Sequence, residues 1–231
     1  MRVVLIGLGG IGTNLVEVVC RSLVYSKSPR AFKRVLIVDG DIYEPKNRER
    51  QIYSNLGNKA EVKKIDLQQM FPELEIEAKP HYVDENNIFL FIREGDIVLS
   101  GVDNHPTRKV IADHVRTLEN VLLISGGNET YDGNVQVNLR IGGKDITPPI
   151  THDHPEIENP KGQNPAALGC GELIAKEGAT QLLAVNFHVA SLMLNALTLY
   201  LEKGEVPYYE LYFDIQNGGV RPIILKKATV P

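Results

Sequence analysis

The sequence predicts an α/β fold: a doubly wound, mainly parallel sheet with an antiparallel C-terminal extension. Three observations carry this. Short β-branched runs recur with helical patterns between them, the first run ends in a glycine-rich turn that opens a helix, and after Ser125 the pattern changes to alternation. Parallel strands read as continuous apolar runs because helices cover both of their faces, whereas a strand with one wet face alternates.

Taken in order, the parallel strands are expected at Val3–Ile6, Arg34–Val38, Asp96–Leu99 and Val121–Ile124, with Glu75–Glu77 as a less apolar fifth. Helices Ile11–Val24, Asn58–Met70, Glu85–Arg93 and His105–Leu118 fall between them. Each has apolar residues three and four apart, as a crossover helix packed on a sheet requires. Gly133–Arg140 alternates, which predicts an antiparallel strand exposed on one face. Residues 141–169 hold tandem glycines, a Pro148-Pro149 pair, three further prolines and no apolar period, so they are expected to form a mobile crossover loop or lid. A long helix, Ala179–Leu201, follows, and Tyr208–Ile215 with Val220–Leu225 makes a closing hairpin about Asn217-Gly218-Gly219. One domain over residues 1–231 is expected: a nucleotide-binding core over 1–140, the crossover loop over 141–169, and the C-terminal helix and hairpin over 170–231.

At 231 residues, 43% of them apolar and 23% charged, the chain can bury a substantial core. A net charge of -4 and a pI near 5.9 give no concentrated positive field, which argues against nucleic acid as a partner. Cys20 and Cys170 are the two cysteines and form no CxxC pair, so neither a disulfide framework nor a zinc knot is expected. The natural setting is a reducing cytoplasm. The apolar N-terminal run is broken by glycines and continues as an amphipathic helix with Glu17 and Arg21, unlike a leader. No apolar stretch is expected to reach the roughly 20 residues of a membrane span.

Gly7-Leu8-Gly9-Gly10-Ile11-Gly12 follows a strand and opens a helix. Gly7 permits the tight turn, Gly9 and Gly10 let backbone approach phosphate oxygens, and Gly12 lets the helix pack closely. The helix amides then attract the anion. Asp39, at the end of the second strand, is placed to accept hydrogen bonds from a ribose. That much makes a Rossmann-like pocket in which NAD and ATP both fit. A triphosphate carries more charge and normally Mg²⁺, so its site needs fixed cations and a metal-binding carboxylate. Asn47, Arg50, Gln51 and Lys59 follow in one short stretch, and Asp103-Asn104 stands at the carboxyl edge of the sheet. That inventory favours ATP.

With these residues assembled, the chain resembles the ThiF/MoeB family, ATP-dependent activating enzymes related to ubiquitin-activating enzymes. The family pattern appears as Gly7–Gly12, Asp39-Gly40-Asp41, Asn47–Gln51, Gly57-Asn58-Lys59 and Asp103-Asn104, over about the first 140 residues. The C-terminal part resembles compact ThiF-like proteins of mobile genetic elements more nearly than the standard members. The resemblance implies adenylation of the C-terminal carboxylate of a small ubiquitin-like or sulfur-carrier protein or peptide. It assigns phosphate neutralisation to Arg50 and Lys59, Mg²⁺ to Asp103, ribose to Asp39, and phosphate binding or loop ordering to Asn47. Asp41 is expected to orient that loop or assist the metal. It also implies a homodimer. Cys170 stands near a cysteine to which some members pass the acyl group or its sulfur, while Cys20 reads as core packing. His152 and His154 match no standard zinc spacing, and the family's zinc-binding CxxC pairs are missing. The helices that precede the first strand in many members, and supply an arginine across the dimer, are not in this sequence. Two other readings stay open: a non-catalytic ThiF-like subunit that binds a partner, and an NAD-dependent oxidoreductase.

Overall fold

The computed structural model describes residues 1–168 and 182–224. Its centre is five parallel strands in the order β5(Glu75–Lys79)–β2(Arg34–Val38)–β1(Val3–Ile6)–β6(Ile97–Ser100)–β7(Val121–Asn128). The chain leaves β1 in one direction, through β2 to β5, and returns on its other side at β6. Such a reversal is a topological switch point, where open α/β sheets form a crevice for ligands at the carboxyl ends of the flanking strands, here β1 and β6. Beyond β7 the sheet turns antiparallel through β8(Asp132–Ile141), β10(Glu210–Asp214) and β11(Gly219–Ile223). A short β9(Lys144–Asp145) pairs with β8, and β3(Ile42–Tyr43) pairs with β4(Gly57–Asn58) outside the main sheet.

Helices α1(Gly10–Tyr25), α2(Lys59–Met70) and α6(Leu183–Lys203) cover one face; α3(Ile88–Phe91), α4(His105–Arg116) and α5(Pro155–Glu158) cover the other. Alternate residues of β1 divide between the two layers, Val3 and Leu5 into the first and Val4 and Ile6 into the second, all at most 2% exposed. Burying a side chain of this size contributes about 1.5–3 kcal/mol.

Within the described residues the predicted strands and long helices are present, residues 179–181 and Leu225 of the last predicted elements lying outside them, with five differences. The helix expected at Glu85–Arg93 is a single turn, because Asp84 and Asn87 close a local turn in which Asn87 and Ile88 amides donate to the Asp84 carbonyl. The strand expected to end at Ile124 runs on to Asn128, carried by its pairing with β8. β8 itself does not have one wet face: Gln136, Asn138 and Arg140 are buried along with Val135, Val137 and Leu139. The segment after it covers that polar row, with Gln136 Nε2 donating to the Ile150 carbonyl (3.0 Å), Asn138 to Thr147 (2.8 Å) and Arg140 pairing with Asp145 (2.6 Å). Residues 141–168 are therefore not without structure, as their composition suggested. They hold β9, α5 and a 3-10 turn at Pro165–Ala167, bury Ile150 and Ile157, and bind α4 through Arg116–Glu158 (3.0 Å). No apolar period announces this segment because its anchors are polar groups meeting sheet amides. Finally, α6 is by length and composition apolar enough to cross a membrane, contrary to expectation. It packs on α1, β7 and β8 as a core helix, with Val189, Met193, Ala196 and Leu197 buried.

Candidate nucleotide site

The glycine turn is built by contact with the neighbouring strand ends. Gly7 has φ +87°, and its amide donates to the Val38 carbonyl (3.0 Å). A Cβ on Gly7 would lie 2.9 Å from backbone of Gly101-Val102, so the turns after β1 and β6 abut across the crevice. Gly9 has open space where a side chain would be, as an approaching phosphate requires. Gly10 differs from the expectation. The space of its missing side chain is filled by the buried amide of Asn186 on α6, so its smallness serves packing.

Asp39 ends β2 and is buried. Its Oδ2 accepts the Leu8 amide of the glycine turn (2.5 Å), and its Oδ1 accepts the Asp41 amide (2.8 Å). Burial pushes its carboxyl up to about 6; the Lys59 charge and these two amides oppose that rise, and Asp41 adds to it. A ribose hydroxyl needs the ionised form as acceptor. ATP affinity is therefore expected to fall as pH drops from 7 to 5, centred near 6 in the free protein, and Asp39→Asn should bind weakly without that dependence. Titration calorimetry across this range checks both. The sign for folding is opposite. The native state holds this proton to higher pH than the unfolded chain, so this group's contribution to stability declines as pH rises from about 4, the ordinary carboxylate value, to 6.

Lys59 is the first residue of α2, set there by Asn58, whose Oδ1 caps the helix by accepting the Ala60 (2.9 Å) and Glu61 (3.1 Å) amides. The Lys59 ammonium is buried at 5% exposure and donates to Asp41 Oδ2 (2.8 Å). Burial works against its charge, but Asp39, Asp41 and Asp103 together outweigh it and raise its pKa. Asp41 also suffers burial, and Lys59 and the Tyr82 hydroxyl (2.6 Å) hold it ionised below the usual range.

Asn47 is buried in a 3-10 turn. Its Oδ1 accepts the Glu44 amide (3.0 Å) and its carbonyl the Gln51 amide (3.0 Å), which is the loop-ordering arrangement. The half-buried Arg50 guanidinium makes no hydrogen bond or ion pair among the described residues. Gln51 is buried with Oε1 unpartnered. Across the crevice, Asp103 is exposed after β6, and Asn104 caps α4 by accepting the Thr107 amide (2.9 Å). The structure thus brings the glycine turn, Asp39, Asp41, Lys59 and Asp103 to the carboxyl end of one sheet. Cys170 lies outside the described residues. Cys20 is buried in α1, its thiol pushed up to about 12 by burial, as core packing predicts. His154 is held between Glu156 (2.7 Å) and Glu210 (2.8 Å).

Sequence reasoning missed Tyr82, which carries no motif and reaches Asp41 from a loop after β5. It also missed Arg108, a buried guanidinium that donates to the Val102 (3.0 Å) and Gly126 (2.7 Å) carbonyls and so fixes the end of β6 to the end of β7. Lys63 had a usable signal: it stands four residues after Lys59, on the same helix face.

The sequence matches the ThiF family over residues 1–212. It is 24% identical over 242 aligned positions to a probable molybdopterin-synthase adenylyltransferase of Porphyra purpurea, covering 98% of this chain and 60% of that one. It is 30% identical over 139 positions to a sulfur carrier protein adenylyltransferase of Thermus thermophilus, covering 58% and 48%. The chain thus spans about half to two thirds of the length of these relatives. Among solved structures, E. coli MccB with ATP superposes with a TM-score of 0.70 at 17% identity, covering 99% of this chain and 65% of that one, which shows a shared fold.

Proposed function

The chain belongs to the ThiF family, and from that membership and the geometry of the crevice we propose that it activates a C-terminal carboxylate by ATP-dependent adenylation. The observation that carries this reading is the buried Lys59 ammonium among Asp39, Asp41 and Asp103, beside an open glycine turn. A hydride-transfer site needs no such buried cation.

In this reading the substrate is a ubiquitin-like or sulfur-carrier protein, or a peptide. Relatives named as adenylyltransferases of a sulfur carrier protein and as a SAMP-activating enzyme support it. One terminal carboxylate oxygen attacks the α-phosphorus of ATP, the bond to the bridging oxygen breaks, and pyrophosphate leaves with that electron pair. Two anions must meet, so catalysis is alignment and charge neutralisation. Asp39 accepts from the ribose hydroxyls. The α1 amides and Gly9 seat a phosphate. Lys59 and the unpaired Arg50 offset the charge that builds on the leaving pyrophosphate. Asp103, exposed and making no side-chain hydrogen bond or ion pair among the described residues, fits a Mg²⁺ ion held largely by phosphates, which needs few protein carboxylates. That ion supplies counter-charge when bound. Onward transfer to Cys170, a homodimer and a cytoplasmic setting complete the proposal. The exposed Leu183 and Phe187 on α6 support the second of these.

Labelled pyrophosphate should exchange into ATP when a small protein or peptide with a free terminal carboxylate is present, and not with its C-terminally amidated form. Asp103→Ala and Arg50→Ala should each abolish this exchange with melting unchanged. Exchange at the wild-type rate in both variants refutes the assignment.

A further inference from the structure

Lys63 sits one turn after Lys59 on α2. It is 5% exposed and forms no ion pair among the described residues. A buried cation without a carboxylate is costly, and an apolar side chain of the same length would fill the space without that penalty. Burial lowers the pKa of this lysine, with Asp66 and Glu17 opposing. The contacts it makes instead converge on one peptide group. Its Nζ donates to the Ile52 carbonyl and lies 4.5 Å from the centre of the Tyr53 ring. The same carbonyl accepts Thr13 Oγ1 from α1 (3.0 Å), and the Tyr53 hydroxyl donates to the Leu8 carbonyl within the glycine turn (2.6 Å).

Two residues before Ile52 stands Arg50. Its loop is fixed upstream by Asn47, which holds the Glu44 and Gln51 amides, and downstream by this three-bond clamp. Between them the guanidinium is free of any partner among the described residues. The clamp joins that loop directly to the turn where the phosphates would lie.

We propose that Lys63 is a positioning residue for the nucleotide: through the Ile52 carbonyl it sets the Arg50 loop against the glycine turn, so that Arg50 meets the phosphates without first being ordered. Pre-organisation of this kind removes an entropy cost from binding. The inference rests on the ATP reading above and on Arg50 as a phosphate contact.

Its test is Mg·ATP affinity by calorimetry in a double-mutant cycle, which needs no acyl substrate. Lys63→Met should weaken binding about tenfold, the scale of one charge-assisted contact. In an Arg50→Ala background the same substitution should change nothing, and Lys63→Arg should restore most of the affinity. A general packing defect would instead weaken both backgrounds equally. Thr13→Val, which removes another bond to the same carbonyl, should repeat the pattern and carries the test should Lys63→Met fold poorly. Affinity within twofold of wild type for Lys63→Met, or equal losses in both backgrounds, overturns the inference. Intact coupling without pyrophosphate exchange would leave the clamp standing and reject adenylation instead. A wild-type protein that binds no ATP would reject both.

Discussion

Replacing Lys59 with methionine is expected to lower carboxylate-dependent pyrophosphate exchange on the order of 100- to 1000-fold, the loss seen when one preorganised donor to developing charge is removed. The magnitude follows from where the ammonium sits. It is buried, and Asp39, Asp41 and Asp103 all feel its field. Methionine matches the length and apolar stem, so packing at the start of α2 is retained, and Asn58 still caps the helix. What is lost is the charge. Asp41 loses its 2.8 Å partner, and Asp39, already pushed up to about 6, loses the cation that opposes its burial. A second consequence follows: the pH at which ATP affinity fails should move above 6, because Asp39 then holds its proton more tightly. Steady-state exchange and binding measured against pH check both. Exchange within tenfold of wild type, at an unmoved midpoint, would show that Lys59 only ties Asp41 to α2. Arginine at this position is a further discriminator, since its wider fork does not fit a space shaped for an ammonium.

The parallel half of the fold was legible because each element there states its own physics. Val3–Ile6 and Arg34–Val38 are apolar on both sides, and Gly7–Gly12 and Asn58 mark helix starts through local backbone chemistry. The polar wall was legible for the same reason, since Asp39, Lys59 and Asp103 each stand at the end of a recognisable element. What failed were places where distant groups decide. Gln136, Asn138 and Arg140 alternate with Val135, Val137 and Leu139 as wet residues would, yet polar groups of residues 143–150 bind and cover them. The side chain of Gly10 is absent for Asn186, which lies 176 positions away in the chain. Tyr82 and Arg108 act through hydrogen bonds to Asp41 and to the Val102 and Gly126 carbonyls, and no period or spacing announces such contacts. Local sequence records helix caps and turns; it does not record which loop will lie over a sheet.

The glycine turn offers the sharpest separation of folding from binding, because two of its glycines are glycines for different reasons. A Cβ on Gly12 would lie 1.9 Å from the Gly7 carbonyl oxygen and 2.9 Å from its carbon. Both are backbone atoms within a turn that also abuts Gly101, so no rotamer can relieve the overlap, and α1 would have to move off β1. α1 carries Leu15, Val16, Val19 and Leu23 into the core and packs on α6, so that displacement opens a large part of the first layer. Gly12→Ala is therefore expected to destabilise by more than about 4 kcal/mol, in the range reserved for severe steric or core defects. Gly9→Ala is the contrast. Nothing lies within 4 Å of a Cβ there, and φ is -69°, outside the left-handed region that favours glycine. Its methyl should leave urea unfolding near wild type while occupying the space through which a phosphate reaches the α1 amides, so ATP affinity should fall on the order of 100-fold, as at a preorganised anion site stripped of its contacts. Equal stability losses in the two variants would mean that the turn serves folding alone, and the nucleotide would have to be sought elsewhere on the sheet edge.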